Sequence, residues 1–434
     1  MSIDAKTRRD FLKGSAAVAG AALAARVIGS RAYAGSDDLI RVGMVGCGGR
    51  GSGAANQTLS VPNSKVKIVA MADAFDNKVK GAHGELSKKH GEKVDVPAER
   101  MFSGLDAFNK VLEHCDMVIL ATPPGFRPQH FEAAVNAGKN VFMEKPVCVD
   151  SNGARKVLEM AKKADEKGLK VVCGLQRHYQ NVYREALKRV QDGIIGDIIS
   201  AQVYWNQGDI WYRNRDAAQN EIQFQVNNWY HFNWLCGDHI CEQHVHNLDV
   251  ANWFIGAHPI SASGMGGRTD KTRKTEIFDH HYVEFRYPNN IVVNSQCRQI
   301  GGTKSDVREE IRGTKGILYL GNGHAVDYKG NTLWKYDNGG KRDPDPYQVE
   351  HNELHGFIRD NQKVNNAYYT LDSTFTAVLG RTATYSGQEW KWDDLWKKDF
   401  GTFPKEAPTW STDLPNKPDA NGNYQIPVPG QYKI

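Results

Sequence analysis

The side chains best suited to moving a proton are crowded between His239 and Asp249. Cys241, Val245, Leu248 and Ile255 form an apolar stripe there, which predicts one continuous helix. Glu242, His246 and Asp249 stand at i, i+4 and i+7 on another face of it. That spacing lets a carboxylate orient an imidazole, as acid-base chemistry requires. Two alternatives stay open. His244 and His246 with Glu242 and Asp249 are metal-ligand types, but residues two apart on a helix face different directions, so no metal is expected. The histidines can also be ordinary, partly buried helix residues.

Short apolar, β-branched runs alternate with helical patterns through the first half: strands at 39–45, 67–73, 116–122, 140–144 and 170–175, and helices at 76–90, 105–114, 128–137 and 153–167. This predicts an α/β fold built on a doubly wound parallel sheet with both faces covered. The first turn contains Gly46, Gly48, Gly49, Arg50 and Gly51, a G-x-G-x-x-G directly after a strand, and Asp73 ends the next strand 22 residues past Gly51. Glycines there allow a tight turn and close backbone approach to a pyrophosphate at a helix N-terminus. Asp73 is placed to accept from ribose hydroxyls and would repel a 2′-phosphate, so NAD is expected rather than NADP. Thr122 and Pro123 end the following strand, where open α/β sheets present ligand-binding groups; a helix cap is the competing role for Thr122.

With such a cofactor in place, oxidising an alcohol by hydride transfer needs a group to take the hydroxyl proton and a cation to stabilise the developing alkoxide. Lys145, at the end of a strand beside the nicotinamide end of the crevice, can serve either purpose if burial lowers its pKa. The bland alternative is a lysine that anchors the sheet edge or a cofactor ribose.

Glu144, Lys145 and Pro146 complete a set of motifs in order: the glycine turn, Thr122-Pro123, Gly138-Lys139 leading into a strand that ends in Glu-Lys-Pro, and a later acid-x-x-x-His helix. Over about residues 38–400, including the closing segment from Tyr385 to Asp393, the chain resembles the Gfo/Idh/MocA family, which includes glucose-fructose oxidoreductase and inositol dehydrogenase. The resemblance implies a Rossmann domain, with Glu144 and Lys145 beside the cofactor, followed by a C-terminal α+β domain whose large, mostly antiparallel sheet often makes subunit contacts. It places His246 in the histidine position and Glu242 in the acid position. The family more often carries aspartate there, a departure that with His244 bears on how substrate binds. The expected layout is a Rossmann domain at 36–177, a substrate and oligomerisation domain at 178–402, and a Pro-rich, irregular tail at 403–434 draped over a domain or a neighbouring subunit.

Arg177, His178 and Tyr179 leave the last Rossmann strand at the domain junction and are candidate sugar donors, with interdomain packing the equal alternative. His244 and Asp249 join them as candidate substrate residues. Between Tyr204 and Trp234 lie four of the ten tryptophans, Trp205, Trp211, Trp229 and Trp234. Aromatic rings suit the apolar C–H faces of sugars, but most of these are expected to pack, with at least one on the substrate. Asp279, His280 and His281 sit in an alternating strand at 277–287 and are expected on its solvated or intersubunit face.

The net charge is +5, of which residues 1–34 contribute +4, so the rest is almost neutral and nucleic acid is not an expected partner. Thr7 to Lys13 form a near-complete twin-arginine motif, followed by a short apolar run and Ala32-Tyr33-Ala34, a cleavage pattern. A signal peptide over 1–34, export through the twin-arginine machinery and a periplasmic or secreted location are expected. No stretch is long enough to span a membrane. The seven scattered cysteines are expected to be buried thiols. Because export leaves little free NAD to exchange with, the expected activity is an oxidoreductase acting on a hydroxyl of a sugar or polyol with tightly bound cofactor. The alternatives are redox-neutral, NAD-dependent glycoside hydrolysis and a non-catalytic cofactor-binding protein.

Overall fold

The computed structural model describes residues 38–434 apart from Lys271 and Pro415. The expected signal peptide lies outside the described residues.

Six strands, β1 (Ile40–Val45), β2 (Val66–Asp73), β3 (Met101–Ser103), β4 (Met117–Leu120), β5 (Asn140–Met143) and β6 (Val171–Cys173), form one parallel sheet in the order β3-β2-β1-β4-β5-β6. Val42, Ile68, Ile119, Val141 and Val172 are wholly buried, because helices cover both faces and leave no polar side to alternate with. The helices are α1 (Gly49–Leu59), α2 (Asp76–His90), α3 (Phe108–Leu112), α4 (Arg127–Asn136) and α5 (Ser151–Glu166). The expected helix at 105–114 is regular only over Phe108–Leu112, since Gly104 at φ 125° opens a turn ahead of it. Strand β3 is too short to carry a hydrophobic period. The strand order reverses between β1 and β4, so a crevice opens at their carboxyl ends.

After α6 (Asn181–Gln191), β7 (Ile198–Gln207) enters a second sheet. Four short helices come next: α7 (Glu221–Asn227), α8 (Asn233–Cys236), α9 (His239–Glu242) and α10 (Val245–Ile255). The other strands are β8 (Ser261–Gly267), β9 (His280–Arg286), β10 (Val292–Gln299), β11 (Asp306–Gly313), β12 (Gly316–Tyr319), β13 (His324–Asp327), β14 (Thr332–Lys335) and β15 (Trp390–Lys391). They run β14-β13-β12-β11-β7-β10-β9-β8-β15, antiparallel except for the β7/β10 pair. His281 alternates with Tyr282 and falls on the inner face with Val283 and Phe285, where its Nδ1 is 2.9 Å from Thr384 Oγ1. The expectation of an outward face is therefore corrected for His281. It is corrected for Asp279 too, a buried carboxylate that accepts from the backbone N–H groups of Thr269 (2.6 Å) and Asp270 (2.8 Å).

The chain then turns back to the first sheet. On α11 (Pro346–Arg359), Leu354 and Ile358 join the core formed by β1, β2 and α1, and His351 Nδ1 lies 2.8 Å from Thr58 Oγ1. Helix α12 (Ala367–Ser386) is rich in Ala, Thr and Ser, small enough for close approach on all sides, and touches β8, β9 and α10 as well as α5 and β6. Its Arg381, 1% exposed, donates to Val149 O (2.7 Å) and Asn233 Oδ1 (2.8 Å), joining the two sheets' layers. Arg381→Met keeps the bulk but leaves both acceptors buried and unpaired; a loss of about 3–5 kcal/mol in denaturant-unfolding stability is expected. After α13 (Trp392–Lys397), the described residues of 403–434 contain no helix or strand, yet Tyr424 is buried against Phe232 and donates to Glu221 Oε1. No helix among the described residues is long and apolar enough to cross a membrane, and all seven cysteines are buried and free.

Candidate active site

At the crevice, Gly46 adopts φ 95°, and a Cβ there would lie 2.6 Å from the carbonyl carbon of Ala121. A Cβ on Gly51 would come within 1.9 Å of Gly46 O, so helix and turn touch backbone to backbone. Gly48 and Gly49 face open space. Gly48 caps α1 without a side-chain bond, leaving the N–H groups of the first turn to an anion. Asp73 stands at the end of β2, with Oδ2 accepting from Cys47 N–H (2.7 Å) and Oδ1 from Phe75 N–H (3.0 Å). Burial raises its pKa, against these two bonds and Lys78. A cavity of about 400 Å³ joins Gly46, Gly48, Gly49, Arg50, Gly51, Asp73, Lys78, Thr122 and Pro123 to Trp211, Arg213, Asn227 and Trp229 of the second domain. An open glycine cradle, a free helix N-terminus and a carboxylate at the next strand end fit a dinucleotide.

Lys145, Glu242 and His246 do not line that cavity; Lys145 stands just past the end of β5 and meets Glu242 of α9. Lys145 Nζ donates to Glu242 O and lies 3.1 Å from Glu242 Oε1, each side chain 10% exposed. Burial raises the Glu242 pKa against the pull of the Lys145 charge, and a Tyr230 hydrogen bond also favours the anion. Tyr230 in turn accepts from Gln299 Nε2 at 2.8 Å. His246 is buried, its Nδ1 without a partner, its ring stacked 5.8 Å from Trp205. Burial pushes its pKa well below the ordinary imidazole value, and the Lys145 and Arg177 charges push the same way, so the ring is neutral.

The single helix expected over 239–249 is broken. His244 N–H bonds to His239 O, five residues back, and the helix resumes at Val245. Such a wide turn adds a residue and rotates the next stretch of helix about its axis. Glu242 and His246 thus lose the expected i, i+4 relation, and Glu242 pairs with Lys145 rather than His246.

Glu144 lies beneath Arg50, whose Nε is 3.0 Å from its Oε1. Burial raises the Glu144 pKa against the Arg50 and Lys145 charges. A Cβ on Gly174 would stand 2.5 Å from Glu144 Oε2, so glycine there leaves room for the carboxylate. Thr122 Oγ1 is 3.0 Å from His130 Nδ1. Arg127, which no motif or spacing singles out, is 1% exposed and donates to Leu120 O and to Thr122 O (2.6 Å), fixing the end of β4. Burial lowers its pKa to about 10.

Arg177 pairs with Glu309 at 2.5 Å and remains near enough to His246 to influence its charge. The other candidate substrate residues each bond to a side chain within the protein, although His244 Nδ1 has no partner. His178 is stacked between Trp253 (3.9 Å) and Tyr369 (4.3 Å), its Nε2 2.9 Å from Asp249 Oδ2. Asp249 also accepts from Ser373 Oγ (2.8 Å), and the Tyr179 hydroxyl accepts from Asn366 Nδ2 (2.6 Å). His244 Nε2 is 2.7 Å from Ser295 Oγ on β10. The partners of all four belong to the second domain. Of the four tryptophans, Trp234 is buried among Phe126, Phe232 and Phe403, Trp205 meets His246, and Trp211 and Trp229 line the cavity.

A doubly wound sheet with a glycine cradle at its switch point defines the class of dinucleotide-binding α/β proteins. Residues 40–172 match the GFO/IDH/MocA oxidoreductase family, NAD-binding Rossmann fold, and residues 183–319 match the GFO/IDH/MocA C-terminal domain. Together these cover more than half of the chain, which belongs to the GFO/IDH/MocA family of NAD-binding oxidoreductases. Inositol 2-dehydrogenase of Corynebacterium glutamicum is 22% identical over 59% of this chain and 66% of its own length. The scyllo-inositol 2-dehydrogenase (NAD(+)) of Bacillus subtilis is 24% identical over 62% of this chain and 69% of its own. The crystal structure of scyllo-inositol dehydrogenase from Lactobacillus casei with bound NAD(H) and scyllo-inositol superposes with a TM-score of 0.61 over 82% of this chain and 100% of that one, at 21% identity. That last likeness is one of fold.

Proposed function

We propose that the protein oxidises a CH–OH group of a sugar, polyol or sugar derivative, and that it works outside the cytoplasm with a cofactor it carries there. The observation that carries the reading is the Lys145 ammonium held against Glu242 at the end of β5, next to a neutral His246. Bound NAD supplies the hydride acceptor. Lys145 is positioned to donate to the reacting oxygen and stabilise it as negative charge develops. His246 has an unpartnered Nδ1 on a neutral ring, the atom available to accept the hydroxyl proton. Glu242 fixes where the ammonium sits. The inositol dehydrogenases among the relatives support a polyhydroxylated substrate. The twin-arginine motif supports export in the folded state, through that machinery, to the periplasm or beyond. Exposed Ile199, Met265, Tyr282 and Val307 on the large sheet support a homo-oligomer.

The test uses protein purified after export with no cofactor added, offered inositols, free sugars and glycosides while nicotinamide absorbance and aglycone release are followed together. Stoichiometric reduction that persists until a carbonyl acceptor is supplied is the expected result. Steady aglycone release without net reduction would overturn it and identify redox-neutral glycoside cleavage.

A further inference from the structure

The cavity beside Asp73 is walled by two domains. One wall is the turn and strand ends already described; the other is the segment 208–230, which brings Trp211, Arg213 and Trp229 over it. Between Gln207 and Glu221 that segment has no helix or strand, yet its backbone is tied down. Asn228, wholly buried, grips residue 213 from both sides: Arg213 N–H donates to its Oδ1 (2.8 Å) and its Nδ2 donates to Arg213 O (3.0 Å). His231 Nε2 lies 2.7 Å from Trp211 O, and Arg273 donates to Ile210 O at 2.6 Å. The Arg213 side chain is exposed, its guanidinium 4.1 Å above the Trp211 ring and donating to Asn227 O (2.6 Å). Cation and rings thus arrive pre-placed on the side of the cavity opposite the Rossmann wall.

We infer that segment 208–230 is a fixed roof over the adenylate half of the cofactor, with Trp211 and Trp229 supplying apolar surface, Arg213 positive charge, and Asn228 acting as a positioning residue. An adenine ring presents a flat apolar face and its phosphates an anion, so this pairing of ring and guanidinium matches its chemistry. A cofactor covered from the second domain leaves only when the roof's hydrogen bonds open, so its release is slowed without any change at the reacting end. The inference rests on the proposed captive cofactor, but not on the identity of the substrate.

The experiment is exchange of isotopically labelled NAD into holoprotein purified without added cofactor, followed by mass spectrometry of the bound nicotinamide. The parent protein is expected to elute from gel filtration with its cofactor and to exchange slowly. Arg213→Ala and Asn228→Ala should each accelerate exchange by about tenfold or more, with Lys145→Ala exchanging like the parent. Arg213 is exposed, so its replacement leaves the fold intact even if Asn228→Ala does not. Exchange in Arg213→Ala within about twofold of the parent would overturn the roof. So would a parent that exchanges freely. Neither result touches the oxidoreductase reading, which is read separately from reduction of added NAD by the substrate panel.

Discussion

Lys145→Ala should retain cofactor and lose turnover by a factor of about 10³, with kcat and kcat/KM falling together. The argument is geometric first. Lys145 reaches the carboxyl end of β5, where the parallel sheet presents reacting groups, and its ammonium is fixed by the backbone oxygen and the carboxylate of Glu242. It does not line the cavity between the glycine turn and the roof, so removing it should spare dinucleotide binding. The fold should also survive. Without the ammonium, Glu242 loses the strongest influence holding its pKa down, takes up a proton and remains in place as a neutral acid. Acid should harm the parent in a related way. Because burial raises the Glu242 pKa, its anion is lost as pH falls through a value above the ordinary carboxylate range, and activity should fall there; His246, depressed well below its ordinary value, should add no separate ionisation near neutrality. Bound nicotinamide and steady-state rates on one preparation check both statements. Turnover within about tenfold of the parent would remove Lys145 from the chemistry.

The parallel sheet was legible because every strand but the three-residue β3 is an apolar run and the crossovers are helices, so period and order agree. The glycine turn was legible because its residue types are dictated by sterics: φ 95° at Gly46 and the contact at Gly51 admit little else. The acid-imidazole pair was legible only in part. Glu242, His246 and Lys145 do share a cluster, but the wide turn at Gln243 and His244 leaves no mark on the hydrophobic stripe. Nothing local says that the carboxylate belongs to a lysine almost a hundred positions earlier. His178 and Tyr179 obey the same rule. A ring clamped between Trp253 and Tyr369 and a hydroxyl that accepts from Asn366 depend on α10 and on the return of α12, contacts between segments far apart in sequence. Arg127 and Asn228 were invisible for another reason, since each serves backbone atoms, which every residue type supplies.

Gly51→Ala should yield protein purified without cofactor. A methyl at Gly51 would stand 1.9 Å from Gly46 O and 3.0 Å from Gly46 C, backbone atoms with no rotamer to escape through. Gly46 cannot retreat, because its N–H is bonded to Ala72 O at 2.8 Å and its own Cα faces the backbone of Ala121 and Thr122. The strain therefore falls on α1, whose first turn must lift by about 1 Å, a displacement that costs on the order of 100-fold where groups must converge on a ligand. The N–H groups that should meet the pyrophosphate then point past it, and overpacking should lower the stability of the cofactor-free fold by about 1–3 kcal/mol. Gly49→Ala separates the two effects. Its methyl would meet nothing within 4 Å in the protein and would project into the open cradle, so it should weaken dinucleotide binding while leaving cofactor-free stability unchanged. Thermal melts of the two cofactor-free variants, with nicotinamide content measured on the same samples, decide the matter. Equal melting temperatures would mean that α1 yields without cost and that the Gly46–Gly51 contact does not set the geometry of the cradle.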